Sequence, residues 1–267
     1  MTAITYEIPL LLSSDPAAGA TEISSDGSSF AIILDEGIKI PRNAIVATIR
    51  SDTQTIWNVV PNIITGYNDK LFFKIGANVY NITLSQGLYD ITALQDEIER
   101  KLVAAGAPSG AVTLIGDTAT QKVIIQYSTI ASQMDFTQAQ TPRILLGFNS
   151  RLSPVAITTV ANQLDYADNT AAFNSTEYFL IHTDLVAQGI RINNAYENTI
   201  CRVLIDVPPG SQITAEPKNP VKCSANNLIG GNVNKIRVWI TDQTGAAINT
   251  NGEIFSASII LDYTLIQ

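Results

Sequence analysis

His182 is the only histidine among the 267 residues of the chain, and Asp184 stands two positions beyond it. On an extended strand, residues i and i+2 share a face, so this imidazole, oriented by this carboxylate, could act as a general base. The same closeness follows from strand geometry alone, and neither a G-x-S-x-G elbow nor an activated-cysteine motif accompanies it. An ordinary strand histidine is therefore expected. Cys201 and Cys223 are the only thiols; Cys201 shares a strand face with Val203, Ile205 and Val207, which points to a buried free thiol, and nothing in the spacing favours a disulfide. A zinc site takes about three or four Cys, His or carboxylate ligands, more than one histidine and two well-separated cysteines supply. Calcium needs only oxygens, so "DYADN" (Asp165 to Asn169) and "NTNGE" (Asn249 to Glu253) come into view. Neither has the D-x-[DN]-x-[DN]-G spacing, and Asn-Gly is a turn former, so turns are expected at both.

No P-loop and no G-x-G-x-x-G occurs, so nothing indicates a nucleotide phosphate site. With 24 Asp plus Glu, some pair of carboxylates must meet in space, but no motif marks a glycosidase pair. The chain is expected not to be an enzyme, with no catalytic residue, cofactor or metal ligand assigned. Two tryptophans remain. Trp57 lies beside Val59 and Val60, and Trp239 alternates against the Ile236/Val238/Ile240 face, which puts it on an outer face of its strand. Both are assigned as possible interface residues, Trp239 against a neighbouring subunit, with a sugar-stacking platform as the other reading.

The composition agrees with a covered surface. The chain is 46% hydrophobic and 15% charged, against roughly 25% charged in ordinary soluble domains, and its mean hydropathy is +0.16. A formal charge of −8 and the lack of a basic stripe argue against direct nucleic acid binding. No apolar run approaches the roughly 18 residues of a membrane span. The opening "MTAITYEIPLLLSSDP" has no basic region, and its apolar stretch is short for a signal peptide; synthesis and use without secretion is the expectation. The sequons at Asn81 and Asn174 are accordingly read as coincidental.

The elements that must position these residues are mostly strands. Period-two alternation runs through "SFAIILDEGIKIP", "RNAIVATIRSD", "TIWNVVPNI", "EYFLIHTDL", "TICRVLIDV", "KIRVWITD" and "IFSASIILDYTL". In the last, Phe255, Ala257, Ile259, Leu261 and Tyr263 share one face. Between them stand Pro208-Pro209-Gly210, Gly230-Gly231, Gly245 and Asn251-Gly252 as turn signals. One segment differs: "DITALQDEIERKLVAAGAP" places Ile91, Leu94, Ile98 and Leu102 at helical spacing. Thr92 with Gln95 reads as a capping box, Asp96–Arg100 and Glu97–Lys101 as i,i+4 pairs, and Gly106 with Pro108 as the stop. A hairpin turning at Gly76-Ala77-Asn78 precedes this helix, and one turning at Gly116-Asp117 follows it. The polar stretch "SPVAITTVANQLDYADNTAAFNST" reads as a surface connector or as an arm that orders against a neighbour. The fold class expected is mainly β: a single jelly-roll β-sandwich, residues 1–66 and 149–267, with a small inserted α+β hairpin–helix–hairpin subdomain, residues 67–148. A double jelly roll is the alternative.

"YNITLSQGLYDITALQDEIERKL", then "ILLGFNS", and the closing "VWITDQTGAAINTNGEIFSASIILDY" together resemble capsid proteins of tailless icosahedral DNA viruses, the adenovirus, virophage and polinton-like lineage. The resemblance is spread over most of the chain and its motifs are short. It implies a structural virion protein, located in the capsid and partnered by copies of itself and by neighbouring capsid proteins. In that lineage single-jelly-roll penton proteins form pentamers at the vertices, and double-jelly-roll major capsid proteins form trimers. A double jelly roll needs about sixteen strands, and the sequence outside the insert holds about eight, so the penton or minor capsid type and a pentamer are expected. A major capsid protein, and a viral attachment or glycan-binding module, are the alternatives. The terminal strand–loop–strand unit is expected to close the sandwich, with "DQTGAAINTNGE" as a connecting loop.

Overall fold

The computed structural model describes residues 2–173, 176–192 and 195–266. The chain folds as two compact units, one made of Met1–Val60 with Thr176–Gln267, the other of Pro61–Ser175.

The first unit opens with β1 (Ala3–Ser13), β2 (Ala20–Thr21), β3 (Ser29–Lys39) and β4 (Ala44–Trp57). The two strand candidates around Arg50 are thus one strand. A register shift where β4 meets the last strand, between Ala257 and Ile259, lets Ala47, Ile49 and Ile56 all reach the core, which strict alternation would forbid.

The second unit follows. It contains β5 (Lys70–Ile75), β6 (Asn78–Thr83), α1 (Ile91–Ala104), β7 (Val112–Asp117), β8 (Lys122–Tyr127), β9 (Ser132–Asp135), α2 (Arg143–Leu146), β10 (Leu152–Ser153) and β11 (Gln163–Tyr166). The chain then returns to the first unit with β12 (Tyr178–Thr183), β13 (Arg191–Ile192), β14 (Ala195–Tyr196), β15 (Thr199–Leu204), β16 (Gln212–Ala215), β17 (Lys222–Ser224), β18 (Asn232–Thr241) and β19 (Ser256–Ile266).

In the first unit one sheet has the order β1-β19-β4-β16, with β17 also on β4, and the other β15-β12-β18-β3-β2. The pairing is nested. The first long strand pairs with the last (β1 with β19), the second with the one before it (β3 with β18), the third with β16 and β17, and β12 with β15, all antiparallel. A hairpin of four strand pairs rolled into two sheets is a single jelly roll, and among the described residues the sheets of the second unit do not repeat this nesting. Leu12, Phe30, Ile49, Phe179, Val203, Ile236, Phe255 and Ile259 belong to one core, where Phe30 meets Phe255 edge to face at 5.1 Å. Phe255, just before β19, and Ala257, Ile259 and Leu261 within it are buried as the alternation predicts.

β1 is the edge of its sheet. Ser14 donates its N–H to Phe255 O at 2.9 Å, and the unbroken register from Ala3 to Ser13 then alternates bonded and non-bonded pairs. Pro9 falls on the non-bonded row, so the N–H it lacks would have pointed away from the sheet.

The second unit has its own core, including Phe73, Ile98, Leu102, Tyr127, Phe136 and Leu146. Its sheets have the orders β10-β9-β5-β6 and β11-β8-β7. The hairpin turn at Gly76 occurs as expected. The next one lies beyond Gly116-Asp117: both residues belong to β7, and the Asp117 carboxylate takes the Ala119 N–H at 3.1 Å and the Thr120 hydroxyl at 2.6 Å to shape the following turn.

α1 is capped by Asp90, whose carboxylate accepts the Ala93 N–H at 2.7 Å. The Thr92–Gln95 capping box does not form, because Gln95 is used elsewhere: it accepts from Leu114 N at 2.7 Å and donates to Val112 O at 3.1 Å, sewing the helix to β7. At the other end Ala107 N bonds Leu102 O and Gly106 N bonds Val103 O, with Gly106 at φ +90°; this is a Schellman stop. Arg100 turns to Glu97 in place of Asp96, and Lys101 lies 3.8 Å from Glu97. Glu97, 7% exposed, also accepts Ser85 N, so the buried carboxylate outcompetes a solvated one for the guanidinium.

The unit runs past residue 148, where the sequence pattern places the end of the insert. Gly147, at φ +80°, closes α2, and a Cβ there would lie 2.4 Å from Asn169 O. Phe148 stacks on Phe136 at 4.8 Å, and Asn169 donates its N–H to Gly147 O at 2.8 Å. The stretch read as a connector therefore carries β11, paired with β8, and buried Ala167. Two of its polar residues, Asp165 and Asp168, pair with Arg151. Thus 149–175 belongs with the second unit, as do residues 61–66.

Candidate functional site

His182 is 3% exposed. Its Nδ1 lies 3.0 Å from Thr199 Oγ1, its Nε2 lies 2.9 Å from Thr241 Oγ1, and its ring stacks on Trp239 at 5.3 Å with planes 4° apart. One threonine hydroxyl can donate to the bare nitrogen while the other accepts from the ring N–H, so the neutral ring is satisfied. Burial pushes its pKa down to about 4. Asp184 does not orient it: Asp184 Oδ1 accepts the Arg237 backbone N–H at 3.0 Å. The ring is a structural histidine of the sheet.

The antiparallel register of β12 on β18 sets His182 opposite Trp239. One step further, Asp184 meets Arg237 through their backbones and the Asp184 carboxylate. H-x-D on one strand therefore faces R-x-W on the next, a square of four side chains. Both i,i+2 spacings are visible in the sequence. Their juxtaposition is not, because the register joins two strands far apart in the chain. Trp239 is half-buried on the outer face, with Ser29 of β3 on its other side. Trp57, also half-buried, ends β4 opposite Gln212 and joins no such group.

Cys201 and Cys223 are free and buried. Burial pushes the Cys201 thiol up to about 12 and raises Cys223 as well, the opposite of an activated nucleophile. "DYADN" serves an arginine. Arg151 Nη1 is 2.8 Å from Asp165 and its Nε is 2.9 Å from Asp168, while the guanidinium lies over the Phe148 ring at 5.0 Å. Burial opposes ionisation of Asp168, but the Asn149 N–H and Arg151 outweigh it and hold the carboxyl low. Ser153 Oγ donates to Asp165 at 2.6 Å and the buried Tyr127 hydroxyl donates to Ser153 O at 2.5 Å, completing a chain of paired polar groups.

"NTNGE" is a turn with Asn251 at φ +53° and Gly252 at φ +83°. Arg50 joins Glu7 at 2.8 Å and Asp262 at 3.3 Å; this carboxylate pair, like Asp165 with Asp168, is held by an arginine and not by a substrate-sized gap. Among the described residues no three His, Cys, Asp or Glu side chains are grouped to hold a metal, and no helix is long and apolar enough to cross a membrane. Asn81 sits exposed in β6; Asn174 lies outside the described residues.

In the second unit, β11, β8 and β7 turn Val123, Ile125, Val112 and Leu114 inward. On the other face the register aligns Tyr166, Ile124 and Ile115 in one row, with Tyr166 54% and Ile115 38% exposed. Leu164 lies exposed on the same face.

No protein-family model and no curated protein matches the chain. Among solved structures, the chain is similar to the mavirus penton protein, with 9% sequence identity, a TM-score of 0.49, and coverage of 98% of this chain and 100% of that one. It is also similar to a chain of the Sputnik virophage structure, with 13% identity, a TM-score of 0.44, and coverage of 97% of each chain.

Proposed function

We propose that the chain is a structural virion protein: a penton-type capsid protein that self-assembles as a pentamer at icosahedral vertices beside other capsid proteins. The observation that carries this reading is the nested strand pairing of the first unit. It makes one jelly roll interrupted by one insert, joined to the capsid-like sequence stretches quoted above. A single sandwich per chain favours the penton type over a double-jelly-roll major capsid protein. The chemistry agrees: the histidine is neutral and enclosed, the thiols are protonated, and the carboxylate pairs are held by arginine. Several large apolar side chains are exposed, among them Tyr166 and Ile115 of the Tyr166–Ile124–Ile115 row, of the kind subunit contacts use. The −8 charge disfavours direct contact with a genome, and the proposed location is the virion capsid.

Native mass spectrometry of the purified chain across concentration tests this. A closed pentamer is expected. A stable trimer would transfer the chain to the major capsid type, and a monomer at every concentration, with and without companion capsid proteins, would overturn assembly.

A further inference from the structure

The square on β12 and β18 has a second property. A cavity of about 390 Å³ is lined by Ser28, Ser29, Asp184, Arg237, Trp239 and Ala247, among others, a volume within the roughly 300–1,000 Å³ of small-ligand sites. Among the described residues neither Trp239 Nε1–H nor Asp184 Oδ2 bonds to a protein group; the indole N–H is not sealed from solvent, and Asp184 is an exposed residue. His182 holds the indole in one orientation by stacking, and the Arg237 N–H holds the carboxylate by its other oxygen. The site thus presents a fixed aromatic plate, one free donor and one free charged acceptor, on two neighbouring strands.

The charges around it are engaged with each other. Arg237 Nη2 is 3.1 Å from Glu22, and Lys235 pairs with the same carboxylate. No net positive charge is left to call for an acidic ligand.

We propose that this cavity binds a neutral pyranose at the end of a glycan. A pyranose has the matching asymmetry: a face of C–H groups that packs on an indole, and hydroxyls at its edge that both donate and accept. One hydroxyl donates to Asp184 Oδ2, a charge-assisted bond, and another oxygen accepts from the indole N–H. A purely apolar partner would leave both groups desolvated and unpaired. This site is independent of the assembly reading: a capsid protein without it would assemble equally well.

The test is saturation-transfer NMR on the full chain with the methyl glycosides of glucose, galactose, mannose and N-acetylglucosamine, with the oligomeric state followed in parallel. At least one glycoside is expected to receive saturation at its ring C–H protons. Asp184→Asn, which keeps an oxygen for the Arg237 N–H, should weaken it about tenfold. Trp239→Phe, which keeps a ring over His182, should weaken it severalfold. Absence of transfer for all four up to about 10 mM, or transfer unchanged in both variants, would overturn the proposal. So would a change of oligomeric state in Trp239→Phe with no sugar signal, which makes the patch a subunit contact.

Discussion

The two units hold their polar groups in different proportions of neutral and charged pairing. In the sandwich, several enclosed groups are neutral: His182 between two threonine hydroxyls, Gln54 donating to Ser51 Oγ and Ser258 O, and two thiols; Asp262, 3% exposed, is charged and held by Arg50 and Lys222. In the insert, paired charges are prominent: Glu97 is enclosed with Arg100 and Lys101 beside it, and the more exposed Asp165 and Asp168 are held by Arg151. The topologies differ likewise. The sandwich closes by joining the first strand to the last, whereas the insert has two hairpins between sequence neighbours and one capped helix, with β5 on β9 and β8 on β11 as its longer-range pairs. Distant pairing demands apolar faces that fit without local help, and local pairing can be fixed by directional charges.

The largest effect expected is on the apolar closure. Phe255→Ala removes a ring that is 1% exposed and should cost about 3–5 kcal/mol, read by chemical denaturation. Hydrogen exchange should then show β1, β4 and β19 losing protection before α1; simultaneous loss in both units would break the contrast.

Gly147→Ala puts a Cβ against Asn169 O in a positive-φ position and should cost about 3 kcal/mol. Here the lost protection should appear in β8 and β11 and spare β19.

Acid should separate the units. The folded pKa of His182, about 4, lies below its unfolded value of 6.5, so its contribution is full above pH 6.5 and is lost as pH falls toward 4. By linkage this amounts to about 3 kcal/mol of sandwich stability. Glu97, Asp135 and Asp168 are held below their ordinary values of 4.5, 3.8 and 3.8, so the insert keeps their contribution above those values and loses it as pH falls further. Denaturation curves from pH 7 to 4 should slope for the native chain and flatten in that window for His182→Gln; an equal slope in the variant would refute the assignment.

The smallest effect is the sharpest on local signals. Asp90→Ala should cost about 1 kcal/mol and Thr92→Ala a few tenths, measured as shifts in the denaturation midpoint; the reverse order would restore the capping box.

Those four sites also show what a sequence discloses. Strand faces such as Phe255 to Leu261 and the helix from Ile91 were legible, because periodicity records burial on one side. Gly106 was legible because a stop glycine is a local requirement. The cap was displaced to Asp90 because Gln95 serves β7, and the insert's end was missed because Asp165 and Asp168 look like solvated acids until Arg151 is placed beside them. The His182–Trp239–Arg237–Asp184 square failed for the same reason on a larger scale: each strand shows half of it. Alternation gives the face of a residue, and only pairing gives its neighbour.

Pro9 bears on a hazard separate from folding. An open edge of eleven residues is a template on which identical chains could stack without limit, as in amyloid growth. The residue facing outward at its middle has no hydrogen to give, so a ladder started at either end of β1 stops there. Crowded copies must meet through side-chain surfaces, whose geometry can close on itself, and not through a backbone seam that never ends.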